Sequence, residues 1–230
     1  MKIFFSRISG VFLYFLSAAV LLLYLTVEFR PDLKIAEYRI VYAVASCMFS
    51  FAASRSVLYK ADEARRAKVM RGNVIFMFLV YLFLLINLTL IDPEYRRGPA
   101  DIFDWSLSQY ISHTLNIVPF RTIKLFYNGW RSGLVTDRDA YINLLGNIFA
   151  FAPFAFFLPL ISKKKMNIIK FSFFMFFIIS AVEVSQFLLR TGYCDVDDLI
   201  LNMCGALFLY IMLHLRFVRS QIRNLTLLAY

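Results

Sequence analysis

The residues able to do chemistry crowd into one stretch, Ile179 to Leu207, which reads ISAVEVSQFLLRTGYCDVDDLILNMCGAL. Glu183, Gln186 and Arg190 are spaced three and four apart, which puts them on one face of a helix. After a turn at Thr191-Gly192, Asp197 and Asp198 open the next apolar run, with Asn202 and Gly205 following. A carboxylate in such surroundings costs about 2.5–3.5 kcal/mol even on a lenient insertion scale, so it needs a partner or a task. Glu183 and Asp198 could divide general-acid and general-base roles if their environments separate their pKa values. Arg190, with Arg121 upstream, could hold a phosphate or carboxylate. Asn143 and Asn147, four apart in an earlier run, would read hydroxyls or amides together with Gln186 and Asn202. The acidic turn could instead offer oxygen ligands to a divalent cation. A structural reading stands beside all of these. Asn and Gln glue helices by hydrogen bonding, Asp197 or Asp198 caps the helix that follows, and Glu183 pairs with Arg190.

The elements that must position these groups are membrane helices. Hydrophobic residues make up 60% of the 230, 26 are Phe, and the mean hydropathy is +0.67. A soluble domain is about 45–50% apolar. The net charge of +10 comes from bases flanking apolar runs, which is orientation chemistry and not a nucleic-acid footprint. No nucleic-acid partner is expected, and neither a cofactor nor a metal site. HExxH, Walker A and GxGxxG patterns are absent, and no Ser-His-Asp set can be built. Cys47 and Cys204 lie in apolar runs as small hydrophobes, whereas Cys194 could react as a lone thiol.

Taken in order, Ile8 to Val27 is long enough to cross the roughly 30 Å hydrocarbon core and to be a retained first span. Pro31-Asp32 marks a connection. The second run, Tyr38 to Tyr59, is the weakest: it spans, packing through small residues, or it lies on the surface. A polar loop, Lys60 to Arg71, leads to a third span, Gly72 to Ile91, closed by Asp92-Pro93. The long connection from Asp92 to Asp139 holds a short amphipathic surface helix from Trp105 to Val118, capped by Asp104 and anchored by Trp105 and Tyr110. Turns follow at Asn128-Gly129 and Ser132-Gly133. The last three spans are Tyr141 to Ile161, closed by Lys163, Lys164 and Lys165, then Asn167 to Leu189, then Asp198 to Arg216, with Arg216, Arg219 and Arg223 in the tail. Every net-basic segment falls on one side of this all-α, six-span bundle. The positive-inside rule therefore puts both termini in the cytoplasm of a plasma-membrane protein. Asn143, Asn147, Glu183, Gln186, Asp198 and Asn202 then reach a similar depth in the outer half. The segment Asn116 to Arg121 is on the same side.

These residues also carry a resemblance. Asn116-Ile-Val-Pro119-Phe120, Asn143-Leu-Leu-Gly146-Asn147 through Pro153, Glu183-Val-Ser-Gln186, and Asp197-Asp198 through Asn202 to Gly205 stand in the order and spacing of VanZ-like membrane proteins. The resemblance covers residues 110–215 of a single membrane domain over 1–230, and residues 1–91 supply three further spans. It implies a cell-envelope protein of a family named for low-level resistance to teicoplanin, without an established reaction. The expected function is binding of a polar or anionic lipid-linked head group in an outer pocket. Asn116, Arg121, Asn143, Asn147, Glu183, Gln186, Arg190, Asp197, Asp198 and Asn202 would form that pocket. Two alternatives remain open: an intramembrane enzyme using Glu183 and Asp198, and a small-solute transporter, which the lack of a clear repeat disfavours.

Overall fold

The computed structural model describes residues 2–30, 38–91, 102–162 and 166–228. The expected boundaries at Pro31-Asp32, at Asp92-Pro93 and at the lysine triplet lie outside the described residues. Among those described, six segments are long and apolar enough to cross a membrane: Ile3–Phe29, Arg39–Val57, Glu63–Ile91, Asp137–Ile161, Ile168–Leu188 and Val196–His214. The chain is an all-α, multi-pass membrane protein. It divides into two compact units, one of Met1–Leu84 with Arg219–Tyr230 and one of Leu85–Val218.

In the first unit, α1 (Lys2–Phe29) and α2 (Arg39–Val57) pack antiparallel through small residues. Ser17 donates to the Ser46 carbonyl at 2.8 Å and Ser46 returns the bond to Ser17 at 3.0 Å. Ser6 and Ser56 make the same exchange at 2.7 Å each way. A Cβ on Gly10 would lie 3.1 Å from the Ala53 carbonyl oxygen, so glycine is what lets the helices approach this closely. Tyr24 packs with Ala43 and Val80 and meets the edge of Phe83.

The third helix, α3 (Glu63–Ile86), corrects the expected loop from Lys60 to Arg71. Lys60 turns the chain at φ 58, and Asp62 then accepts the Arg65 amide at 2.8 Å. Arg65, Arg66, Lys68 and Arg71 follow in helix because Arg and Lys are good helix formers. The arginine-bearing tail is also a helix, α10 (Arg216–Thr226), where none was expected. The Arg55 guanidinium donates to the Asn224 and Leu225 carbonyls at 3.3 Å, a cation at the negative end of a helix.

The second unit opens with a π-turn, Asn87–Ile91, and the connection that follows holds two helices where one was expected. The first is α4 (Leu107–Thr114). Its cap is Ser106 and not Asp104: Ser106 Oγ accepts the Gln109 amide, and Gln109 Oε1 accepts the Ser106 amide at 3.0 Å, a capping box. The helix stops at Thr114, short of Val118, because Leu115–Asn116 (β1) pairs in parallel with Cys194–Asp195 (β2). The second helix is α5 (Arg121–Arg131), which runs through the expected turn at Asn128-Gly129. The expected turn at Ser132-Gly133 is present, with Gly133 at φ 73.

The fourth span is interrupted, against the expectation of a continuous run. α6 (Asp137–Ala150) and α7 (Phe154–Ile161) are separated at Phe151–Pro153. Pro153 has no N–H to continue the ladder and disfavours helix in the residue before it. The buried rings of Phe151 and Phe154 stack at 5.9 Å and fill the break. α8 (Ile168–Leu188) buries Phe171, Met175, Ile179 and Glu183, one residue per turn. α9 (Val196–His214) packs against α6, α7 and α8. A Cβ on Gly205 would overlap the Ile148 carbonyl, so α6 and α9 meet backbone to backbone there.

Candidate functional site

The polar residues of the second unit meet around the turn that starts α9. Asp195 and not Asp197 or Asp198 caps this helix, its Oδ1 accepting the Asp197 amide at 2.8 Å. The same oxygen accepts Asn116 Nδ2 at 2.8 Å. The Asp195 amide in turn donates to Glu183 Oε2 at 3.4 Å. Asp195 thus links the loop after α4, the inner face of α8 and the start of α9.

Asp197 holds a second helix. Its Oδ1 accepts the Phe120 amide at 2.5 Å, and its Oδ2 accepts the Thr122 and Ile123 amides at 2.7 and 3.2 Å. The first amides of a helix have no partner within it and form its positive end, so a buried carboxylate is a strong cap. Phe120, at φ 65, delivers the chain into that geometry. Asn116 completes the corner, donating to Thr122 Oγ1 at 3.1 Å and accepting the Val118 amide at 3.2 Å.

Asp198 faces the helices instead. Its Oδ1 accepts Asn147 Nδ2 from α6, and its backbone carbonyl accepts Asn202 Nδ2 at 2.8 Å. Asn143, Asn147, Glu183, Asp198 and Asn202 are all buried. The Oδ1 atoms of Asn143 and Asn202 are enclosed and accept no hydrogen bond. Buried polar groups are almost always satisfied, so two open acceptors in one region mark the place where the protein's own partners run out.

Among the described residues, neither Arg190 nor Arg121 nor Gln186 donates a side-chain hydrogen bond to this cluster. Arg190 ends α8 in the left-handed region at φ 53 and donates to the carbonyls of Ile102, Phe103 and Trp105 at 3.0, 3.2 and 3.4 Å. Its guanidinium covers the Tyr110 ring at 4.8 Å. Arg190 is therefore a clamp on the chain before α4. Arg121 is exposed at the first turn of α5. Gln186 donates to the Thr89 carbonyl of the π-turn at 3.0 Å. Tyr110 donates to the Phe187 carbonyl at 2.5 Å. Burial pushes its phenol up, against the Thr114 hydrogen bond and the charge of Arg190, so it stays a neutral donor. Of the two histidines, His113 touches Trp105, and His214 is stacked on Tyr210.

Sequence reasoning gave Asp195 and Thr122 no place in the site and read Tyr110 only as a surface anchor. For Asp195 the signal was available: it stands two residues before Asp197, where an N-cap side chain reaches the second amide of the helix. Cys194 lies in β2, where its thiol is shifted from its ordinary value. Burial first, then the Glu183 and Asp195 carboxylates, push its thiol up.

A multi-pass helical bundle whose polar residues gather beneath a clamped loop defines the class of this protein. A sequence model of the VanZ/LLP1 family matches residues 76–217, more than half of the chain, and the chain belongs to that family. The match begins inside the third span, earlier than the quoted motifs. Neither curated proteins nor solved structures give a match.

Proposed function

We propose that the network around Asp195–Asp198 binds the head group of a lipid-linked envelope molecule rich in hydrogen-bond donors, from the extracytoplasmic side. The observation that carries this reading is the pair of unpartnered acceptors, Asn143 Oδ1 and Asn202 Oδ1. These two enclosed amide oxygens leave the cluster short of hydrogen-bond donors. Sugar hydroxyls, amide N–H groups or an ammonium are its complement. An anionic head group is the poorer fit, because Arg190 is committed to three backbone carbonyls and Arg121 is exposed. The orientation rests on the positive-inside rule: the basic first turns of α3 and the arginines of α10 belong in the cytoplasm. An effect on glycopeptide susceptibility rests on the family name alone, and would follow if the bound head group belongs to a cell-wall precursor.

One observation favours the intramembrane enzyme as a second reading. Glu183 and Asp198 bring two buried carboxylates into one network, the pairing that acid–base catalysis uses.

Native mass spectrometry of the full-length protein in a sugar-free detergent tests the head-group reading. Diglucosyl-diacylglycerol should bind more tightly than dioleoyl phosphatidic acid. Asn143→Leu and Asn202→Leu should each weaken it about tenfold, the size of one buried hydrogen bond, without lowering the thermal midpoint. Tighter binding of phosphatidic acid, or glycolipid binding unchanged in both variants, would rule out this assignment.

A further inference from the structure

The first unit holds a pocket of about 380 Å³ between α1, α2 and α3. That is the low end for a small-ligand site, enough for one chain and too small for a multi-ring head group. Ala18, Leu21, Val69 and Phe76 give it an apolar wall. Its polar groups are Tyr14, Ser17, Ser50 and Asn73. Most of these are committed inside the protein. The Ser17 hydroxyl donates to the Ser46 carbonyl at 2.8 Å, and the Tyr14 hydroxyl bonds Ser54 Oγ at 2.8 Å. Asn73 is the exception. Its side chain is 6% exposed, Nδ2 donates to Ser50 Oγ, and Oδ1 is enclosed with no partner. A leucine at position 73 would fill an apolar helix interface without leaving an open acceptor. The asparagine makes sense if a donor arrives from outside the chain.

The rest of the stripe gives the ligand a direction. Arg65, Val69, Gly72, Asn73 and Phe76 recur at helical spacing on one face of α3. The pocket face therefore runs toward the helix N-terminus into Arg65, which is exposed. We propose that this pocket binds the acyl chain of an anionic amphiphile that carries a hydroxyl or amide N–H on the chain. The chain lies against Ala18 and Phe76, the donor bonds Asn73 Oδ1, and the charged end points toward Arg65. The site is independent of the head-group reading of the α9 network, and failure of either leaves the other standing.

The test uses full-length protein in non-ionic detergent with two diazirine probes, 3-hydroxypalmitate and palmitate. The hydroxylated probe should label peptides spanning residues 14–21 and 69–76, about tenfold more than palmitate does, as one buried hydrogen bond gives. Asn73→Leu should erase that preference and leave palmitate labelling in place. Gly72→Phe should block both probes, since a Cβ there meets nothing within 4 Å and the ring can enter the pocket with the fold intact. Ala18→Phe on the opposite wall repeats that block if Gly72→Phe lowers the thermal midpoint. Arg65→Gln should weaken both acids several-fold and spare the methyl ester of the hydroxylated probe. Equal labelling by both probes, or labelling unchanged in both phenylalanine variants, overturns the proposal. So does loss of an oligomer in Gly72→Phe without any probe labelling, which would make a second copy the occupant.

Discussion

Asp195, Asp197 and Asp198 stand within four positions of one another and serve three different partners. Asp195 caps its own helix, Asp197 caps α5 from 75 residues away, and Asp198 turns inward to Asn147. The side chains of adjacent residues at a helix start diverge, so one acidic cluster can hold a loop, a helix and a buried amide at once. Cys194, just before them, reports on the charge of Glu183. The thiolate is the reactive form, and a raised thiol holds less thiolate at neutral pH. In a Cys47→Ala, Cys204→Ala background, iodoacetamide should modify Cys194 slowly at pH 7. The rate should climb with pH through and beyond the ordinary thiol range. Glu183→Gln removes one of the charges that raise the thiol, so the midpoint of this profile should fall. A profile unmoved by Glu183→Gln would mean that position 183 carries no charge felt at Cys194.

At the scale of elements, two glycines of the quoted motifs have opposite environments. Gly205 faces the Ile148 backbone, whereas a Cβ on Gly146 meets nothing within 4 Å. Gly205→Ala should therefore cost about 1–3 kcal/mol through overpacking and helix separation. Gly146→Ala should be neutral or stabilise by up to about 1 kcal/mol from helix propensity. Thermal unfolding in detergent compares them, and equal effects would contradict the close approach of α6 and α9. All six spans were legible from apolar length and the cost of unsatisfied backbone in lipid. Their interruptions were not. No charged residue interrupts Phe151–Pro153, so only the chemistry of proline marked the break. α5 was hidden because Asn128-Gly129 reads as a turn locally, while its N-terminus is fixed by Asp197, a contact no local pattern contains. The capping box at Ser106 and Gln109 was present in the sequence and outweighs Asp104 once both halves are counted.

For the whole molecule, helical spacing put Asn143 with Asn147 and Asp198 with Asn202 on shared faces, and these four and Glu183 are buried in the second unit. It misplaced Arg190, because the chain leaves helical geometry at that residue and spacing no longer predicts direction. The orientation proposed here has its own check. Single cysteines at Ser132 and Ser162 in a Cys-free background should differ, an impermeant thiol reagent labelling the first in intact cells and sparing the second. Labelling at Ser162 would invert the topology and move the α9 network to the cytoplasmic half. The most direct test of the site itself is Glu183→Gln. Gln keeps the shape of Glu and one acceptor oxygen, but it puts an N–H donor in place of the other, carries no negative charge and exchanges no proton. If the network binds a donor-rich head group, this variant should keep its thermal midpoint and lose most of its affinity for diglucosyl-diacylglycerol in the same native mass spectrometry titration. If Glu183 only joins α8 to α9, Gln should serve as well or better, since the cost of burying a charge is gone. Unchanged glycolipid affinity together with a raised thermal midpoint would contradict the account.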